Sequence, residues 1–260
     1  MDLIDIGLNL TSSAFKEDQT RVLERAHQAG IKRFVLIGSN IEDSNQALEL
    51  AKEHPACIAT AGIHPHNASE FDEHSLRQLT RLQSHSETVA MGEMGLDYNR
   101  NYSPQVDQKN AFEAQLDLAA KLNMPVYLHQ RDAAKDFYQI LTAYRDKLPR
   151  GVVHCFTGDQ EELNICLDMD LYIGITGWIC DDRRGKHLHS LVKQIPADRL
   201  MIETDSPYLL PRTITPKPSN RRNEPAYLPW VLTELASATG KPERQLAIET
   251  TANAEAFFGL

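Results

Sequence analysis

Eight short runs rich in β-branched and apolar residues recur along the chain. They are separated by longer segments whose apolar residues repeat at helical spacing, and this alternation constrains the fold more than any other feature. The runs are residues 3–6, 33–38, 58–63, 89–92, 125–128, 152–153, 171–175 and 200–202. Between them, Phe137/Ile140/Leu141/Tyr144, Leu188/Leu191/Val192/Ile195 and Leu228/Val231/Leu232/Leu235 follow i, i+3, i+4, i+7 spacing, with Phe112/Leu116/Ala119/Ala120 a near variant. Each such segment lays one apolar stripe against a sheet. Ser39-Asn40-Ile41-Glu42 offers a capping box at one helix start. Eight strands alternating with helices in 260 residues predict an α/β fold, a closed (β/α)8 TIM barrel with 1–260 as one domain.

Composition narrows the function. Lys+Arg 27 against Asp+Glu 36 gives a net charge of −9, which argues against a protein that coats duplex nucleic acid by bulk charge. A phosphodiester substrate whose charge is met locally by a metal remains compatible with it. A hydrophobic content of 42% and a charged content of 24% exclude disordered and fibrous classes. The longest largely apolar run, 171–180, falls short of the ~18 residues of a membrane span, so no membrane partner is expected. The first five residues carry two acids and no basic stretch, and Cys57, Cys155, Cys166 and Cys180 form no CxxC. Both features predict a cytoplasmic protein with free thiols.

Barrel active sites are built at the C-terminal ends of strands. There the sequence places Asp5 after the first run, His64 after the third, Glu93 after the fourth, His129 after the fifth and His154 after the sixth; Glu203 and Asp205 follow the eighth. Histidines on two consecutive strand ends, with carboxylates on the fourth and eighth, predict a divalent metal held by Glu93, His129, His154 and Asp205. Two imidazoles with two carboxylates suit Zn²⁺ or Mn²⁺ better than Mg²⁺. If His154 faces the site, strand alternation turns Cys155 outward into packing.

The strings Gly62-Ile63-His64-Pro65-His66, Gly92-Glu93-Met94-Gly95-Leu96-Asp97, Pro125-Val126-Tyr127-Leu128-His129-Gln130-Arg131-Asp132, His154-Cys155-Phe156-Thr157-Gly158 and Glu203-Thr204-Asp205-Ser206-Pro207-Tyr208-Leu209 together resemble the TatD family of metal-dependent deoxyribonucleases. The likeness runs in order over essentially the whole chain. It implies a barrel hydrolase, with Mg²⁺ supplied as the metal, that removes nucleotides from the 3′ end of single-stranded DNA or RNA in DNA repair or nucleic-acid turnover. One departure stands out. Where many members carry Asp-x-His-x-His on the first strand, this chain reads Asp5-Ile6-Gly7-Leu8-Asn9, which predicts one firm metal on Glu93, His129 and His154 and a weak second ion at most.

In metal-assisted hydrolysis the cation polarises the phosphate and acidifies a water. Asp205 is then the expected proton acceptor, with Glu203 either sharing the site or forming a structural salt bridge. His64 and His66 flank a proline in a stiff loop, where they are expected to hold the phosphate or protonate the leaving oxygen. Single-strand binding calls for cations and stacking faces; Arg131, Trp178, Arg183, Arg184, Lys217, Arg221 and Arg222 are the candidates, the last three in the proline-rich stretch 207–225. A monomer is expected. The competing reading is a metal-dependent amidohydrolase or deaminase acting on a small cyclic substrate, which the missing first-strand histidines disfavour. A catalytically inactive binding barrel is disfavoured by clustered carboxylates that would repel phosphate.

Overall fold

The computed structural model describes residues 1–260. Its eight strands are β1 (Leu3–Leu8), β2 (Ile31–Leu36), β3 (Cys57–Ala61), β4 (Thr88–Asp97), β5 (Val126–Arg131), β6 (Gly151–Val153), β7 (Tyr172–Ile175) and β8 (Leu200–Ile202). They form one sheet in the order β1 to β8, and Leu8 makes a parallel bridge to Ser206 just past β8, as a (β/α)8 barrel requires. The helices are α1 (Gln19–Gln28), α2 (Ile41–Glu53), α3 (Glu73–Leu82), α4 (Gln105–Leu122), α5 (Ala134–Tyr144), α6 (Gln160–Asp168), α7 (Leu188–Leu191), α8 (Leu228–Thr239) and α9 (Glu243–Phe258). None is long and apolar enough to cross a membrane, and the four cysteines are thiols not joined in disulfides.

Three local expectations shift. The cap of α2 is Asn40 rather than Ser39: its side chain accepts the Asp43 N–H at 2.8 Å, while Ser39 Oγ donates to the Asp43 carboxylate. The helical spacing 188–195 yields only one turn of α7 and a 3₁₀ turn Val192–Gln194, because Pro196 pushes Ile195 into extended backbone. Strands β4 and β5 run on past their apolar stretches, so Glu93 and His129 lie inside strands rather than after them.

Contacts cluster in two compact units, one made of Met1–Leu36, Cys155–Leu163 and Ile173–Leu260, the other of Ile37–His154 and Asn164–Tyr172. In the first, β1 pairs with β2 and β7 with β8. Helix α9 packs on β1 and β8 and buries Leu246, Ala247, Thr250, Asn253, Ala254, Phe257 and Phe258 at helical spacing. Asp5, fully buried, accepts hydrogen bonds from the Gly7 and Thr204 N–H groups and from the Thr204 hydroxyl, tying β1 to the segment after β8. Burial pushes its carboxyl up to about 7, against the pull of those donors. Asp5 is thus a structural latch.

In the second unit, buried glutamines of α4 fix the strand ends. Gln115 accepts the Ile63 N–H at 2.7 Å and donates to Ile63 O at 3.1 Å, holding the residue before His64. Gln108 does the same for the Asp97 backbone, at 2.8 and 3.2 Å. Losing such a partner would leave a buried backbone group unpaired, at about 1–3 kcal/mol.

Candidate metal centre and active site

The local chain path of β4 brings its carboxylates to the site. Gly92 and Gly95 flank Glu93 with φ of +142° and +149°, and a Cβ on Gly95 would lie 1.9 Å from His129 O. Only glycine permits that conformation and that approach to β5. The register of β4 on β5 shifts between Met91 and Met94, and beyond the shift Gly95 pairs with His129.

One carboxylate oxygen gathers three imidazoles. Glu93 Oε1 is met by His154 Nε2 at 2.7 Å, His129 Nδ1 at 2.9 Å and His64 Nε2 at 3.4 Å. Ligand atoms of His64, Glu93 and His129 all lie within 4.8 Å of one another. The outer nitrogen of His129, Nε2, is buried and lacks a hydrogen-bond partner, with Asp97 Oδ2 nearest at 3.5 Å. Asp97 in turn pairs with His66 Nε2 at 2.8 Å and accepts the Asn99 and Arg100 N–H groups. The ring of the exposed Tyr102 stands edge-on to His66 at 4.7 Å.

Charge states follow from these contacts. Burial alone would raise the Glu93 carboxyl, but the His154 and His64 rings, with hydrogen bonds from His129 and His154, hold it well below the glutamate range. Burial pushes His64 down to about 4 against the pull of Glu93, so this ring is neutral at pH 7. Its Nδ1 accepts the His66 N–H at 3.0 Å, which assigns the single proton to Nε2. His129 is raised: burial opposes it, but the Asp97 and Glu93 carboxylates outweigh that. Burial would raise Asp97, but the nearby His129 ring and the His66 hydrogen bond hold it below the aspartate range.

These residues suit a divalent cation. Ring nitrogens of His129 and His154 facing one anionic Glu93 oxygen, with His129 Nε2 buried and without a hydrogen bond beside Asp97, are a donor set that would suit an ion. His129 and His154 offer ring nitrogens for ligation, with Asp97 as the outer carboxylate on the His129 ring. His64, with its proton on Nε2, fits a hydrogen-bond donor better than a ligand.

The two predicted residues after β8 lie in the first unit. Asp205 adopts a left-handed φ of +52°, strained for a residue other than glycine. Its N–H donates to Gly7 O at 2.8 Å and its Oδ1 accepts Asn9 Nδ2 at 3.0 Å. Gly7 and Asn9 therefore hold Asp205 in place. Glu203, fully buried, accepts the Cys155 N–H at 2.5 Å, supporting the turn directly after His154. His154 and Cys155 both lie in the turn past β6, so the strand alternation expected for this pair does not apply; Cys155 has φ +47° and its Sγ is 3.7 Å from Thr176 Oγ1.

The predicted substrate cations divide. Arg131 ends β5. Arg183, Arg184, Lys217 and Arg221 are exposed, and Trp178 sits half-buried in a 3₁₀ turn after β7. Arg222 differs. Its guanidinium binds Ala14 O, both oxygens of Asp18 and Glu224 Oε1, and lies over the Phe15 ring at 4.9 Å. Arg25 completes the network on Asp18 and Glu224, so a structural pin accounts for Arg222 better than a phosphate role. The Arg222 hydrogen bond, outweighing burial, with help from Arg25, lowers the Asp18 carboxyl to about 2. The bridge therefore stabilises above the ordinary aspartate value and is lost as pH falls toward 2. Asp18→Asn is expected to cost about 1–2 kcal/mol at pH 7. Thermal unfolding should show the wild type and variant converging in acid; a gap unchanged down to pH 2 would contradict the network.

Asp97 joins this cluster through His66 and His129, and the sequence reading leaves it out. Its signal was present: Glu93, Gly95 and Asp97 alternate onto one face of a strand.

A family model described as TatD related DNase matches residues 4–259. A relative from Citrobacter rodentium named 3′-5′ ssDNA/RNA exonuclease TatD is 51% identical, covering 99% of this chain and 98% of its own. A Salmonella typhimurium protein of the same name is 50% identical over 98% of each. The crystal structure of YJJV, a TatD homolog from Escherichia coli K12, superposes with a TM-score of 0.90 at 26% identity, covering 99% of this chain and 98% of that one.

Proposed function

The chain belongs to the TatD family of DNases, and from that premise we propose that it is a metal-dependent 3′-5′ exonuclease hydrolysing phosphodiester bonds of single-stranded DNA and RNA. The observation that carries this reading is the single Glu93 oxygen on which His64, His129 and His154 converge. The full-length relatives that share the name point to the same polarity and substrate.

When bound, the cation supplies Lewis acidity to a phosphate oxygen and lowers the pKa of a water. Glu93, His129 and His154 would hold it, with Asp205 as the fourth expected ligand. Asp97 orients the His129 ring. His64 donates from Nε2 as a neutral imidazole, to a phosphate oxygen or to the departing one. Asp205 accepts the proton of the attacking water. Glu203 supports the turn that carries His154. Arg131, Arg183, Arg184, Lys217 and Arg221 supply cations for the strand, with His66 and Trp178 beside them. The resemblance points to Mg²⁺, while the imidazole-rich donors suit Mn²⁺ or Zn²⁺. We place the enzyme in the cytoplasm as a monomer with 1–260 as its catalytic domain, serving DNA repair or nucleic-acid turnover.

The test is a single-stranded oligonucleotide labelled at its 5′ end. A ladder shortening from the 3′ end is expected, lost on chelation and restored by one of the three ions. Digestion that persists in chelator, or cutting confined to internal positions, would overturn the proposal.

A further inference from the structure

In the first unit, Gly177, Trp178, Asp181, Arg184, Leu209 and Arg212 line a cavity of about 240 Å³. Its walls combine a flat ring with fixed cations. The Arg184 guanidinium lies over the Trp178 indole, 5.6 Å from its centre. Arg212 Nε donates to Asp181 Oδ2 at 2.7 Å, while Asp181 Oδ1 accepts the Arg183 N–H at 3.0 Å. Two guanidiniums against one carboxylate leave the lining net positive, in a chain whose overall charge is −9. The Gly177 wall is bare backbone, since a Cβ there would lie 2.3 Å from Leu209 O. The turn carrying Arg184 is also fixed: the Gly185 N–H donates to Asp181 O at 2.7 Å, and a Cβ on Gly185 would lie 1.8 Å from Trp178 O. An aromatic face and cations held in place before binding lose little freedom when a ligand arrives.

We propose that this cavity is a nucleotide subsite for single-stranded nucleic acid, in which a base stacks on Trp178 and its phosphate is drawn by Arg184 and Arg212. A ligand both flat and anionic matches the lining, and stacking is open to any base because each has a π-face. The choice of ligand rests on the nuclease reading above. Arg212 and Asp181 are what the structure adds to Trp178 and Arg184.

The test is fluorescence anisotropy of a short labelled deoxyadenosine oligonucleotide, in chelator so that the strand stays whole. Trp178→Ala and Arg184→Ala are each expected to weaken binding about tenfold, and Trp178→Phe to keep most of it. Arg244→Ala, which removes an exposed arginine of α9, serves as the charge-matched control and should bind as the wild type does. Wild-type affinity in both test variants overturns the subsite, and so does an equal loss in Arg244→Ala, which would indicate bulk charge. Should Trp178→Ala fail to fold, the exposed Arg184 decides alone. Digestion with metal restored is scored separately. Wild-type digestion with undiminished variant binding sinks the subsite and leaves the nuclease; selective binding loss without digestion does the reverse.

Discussion

Glu93→Gln is expected to lower kcat/KM on single-stranded DNA by at least about a thousandfold, several kcal/mol of lost Lewis-acid assistance at about 1.4 kcal/mol per factor of ten. The substitution keeps the volume between Gly92 and Met94 but removes the anion that meets His154 at 2.7 Å and His129 at 2.9 Å. A second readout needs no substrate. An ion that binds only the folded wild type raises its Tm, and the variant should show no such rise. The sign with pH is fixed by His129, whose proton is held more firmly than that of a free imidazole. Ion uptake must displace that proton, so affinity falls as pH drops. If Glu93 only packed, Tm would fall without any change in its response to ions and kcat/KM would hold within about tenfold. An ion-dependent rise in Tm that survives in Glu93→Gln would overturn the assignment.

The site became legible in the sequence where chemistry coincided with the end of an apolar run. His64, His129 and His154 each follow such a run, and the strands they mark are all present within a few residues. Asp97 escaped because β4 continues five residues past Gly92, its polar and apolar residues alternating where the apolar run had stopped. Arg222 reads as a loop cation because its partner Asp18 lies 204 residues earlier, and no local pattern connects the two. Asn9 shows the same limit. As a neutral residue at a position where a ligand is expected it reads as a loss, yet its amide holds Asp205, 196 residues away. Periodicity reports which face a residue occupies; the partner across the fold is set by tertiary packing and leaves no mark nearby.

Asp205→Asn is expected to lower kcat by about 10²–10⁴ with little change in KM, the range for removing a positioned proton acceptor. The substitution separates chemistry from structure because asparagine tolerates the left-handed backbone that Asp205 adopts, φ +52°, and can still accept the Asn9 amide. Folding should therefore be spared and the carboxylate alone removed. Asn9→Ala makes the complementary change, leaving the carboxylate but freeing it from its donor, with an expected loss of about 10–100-fold. The two effects should not add, since a side chain that no longer accepts a proton gains nothing from being oriented. Single-turnover rates on an end-labelled strand, measured for both single variants and the double, decide the matter. Asp205→Asn retaining wild-type kcat within about tenfold would remove Asp205 from the proton transfer, and fully additive losses would show that Asn9 acts elsewhere.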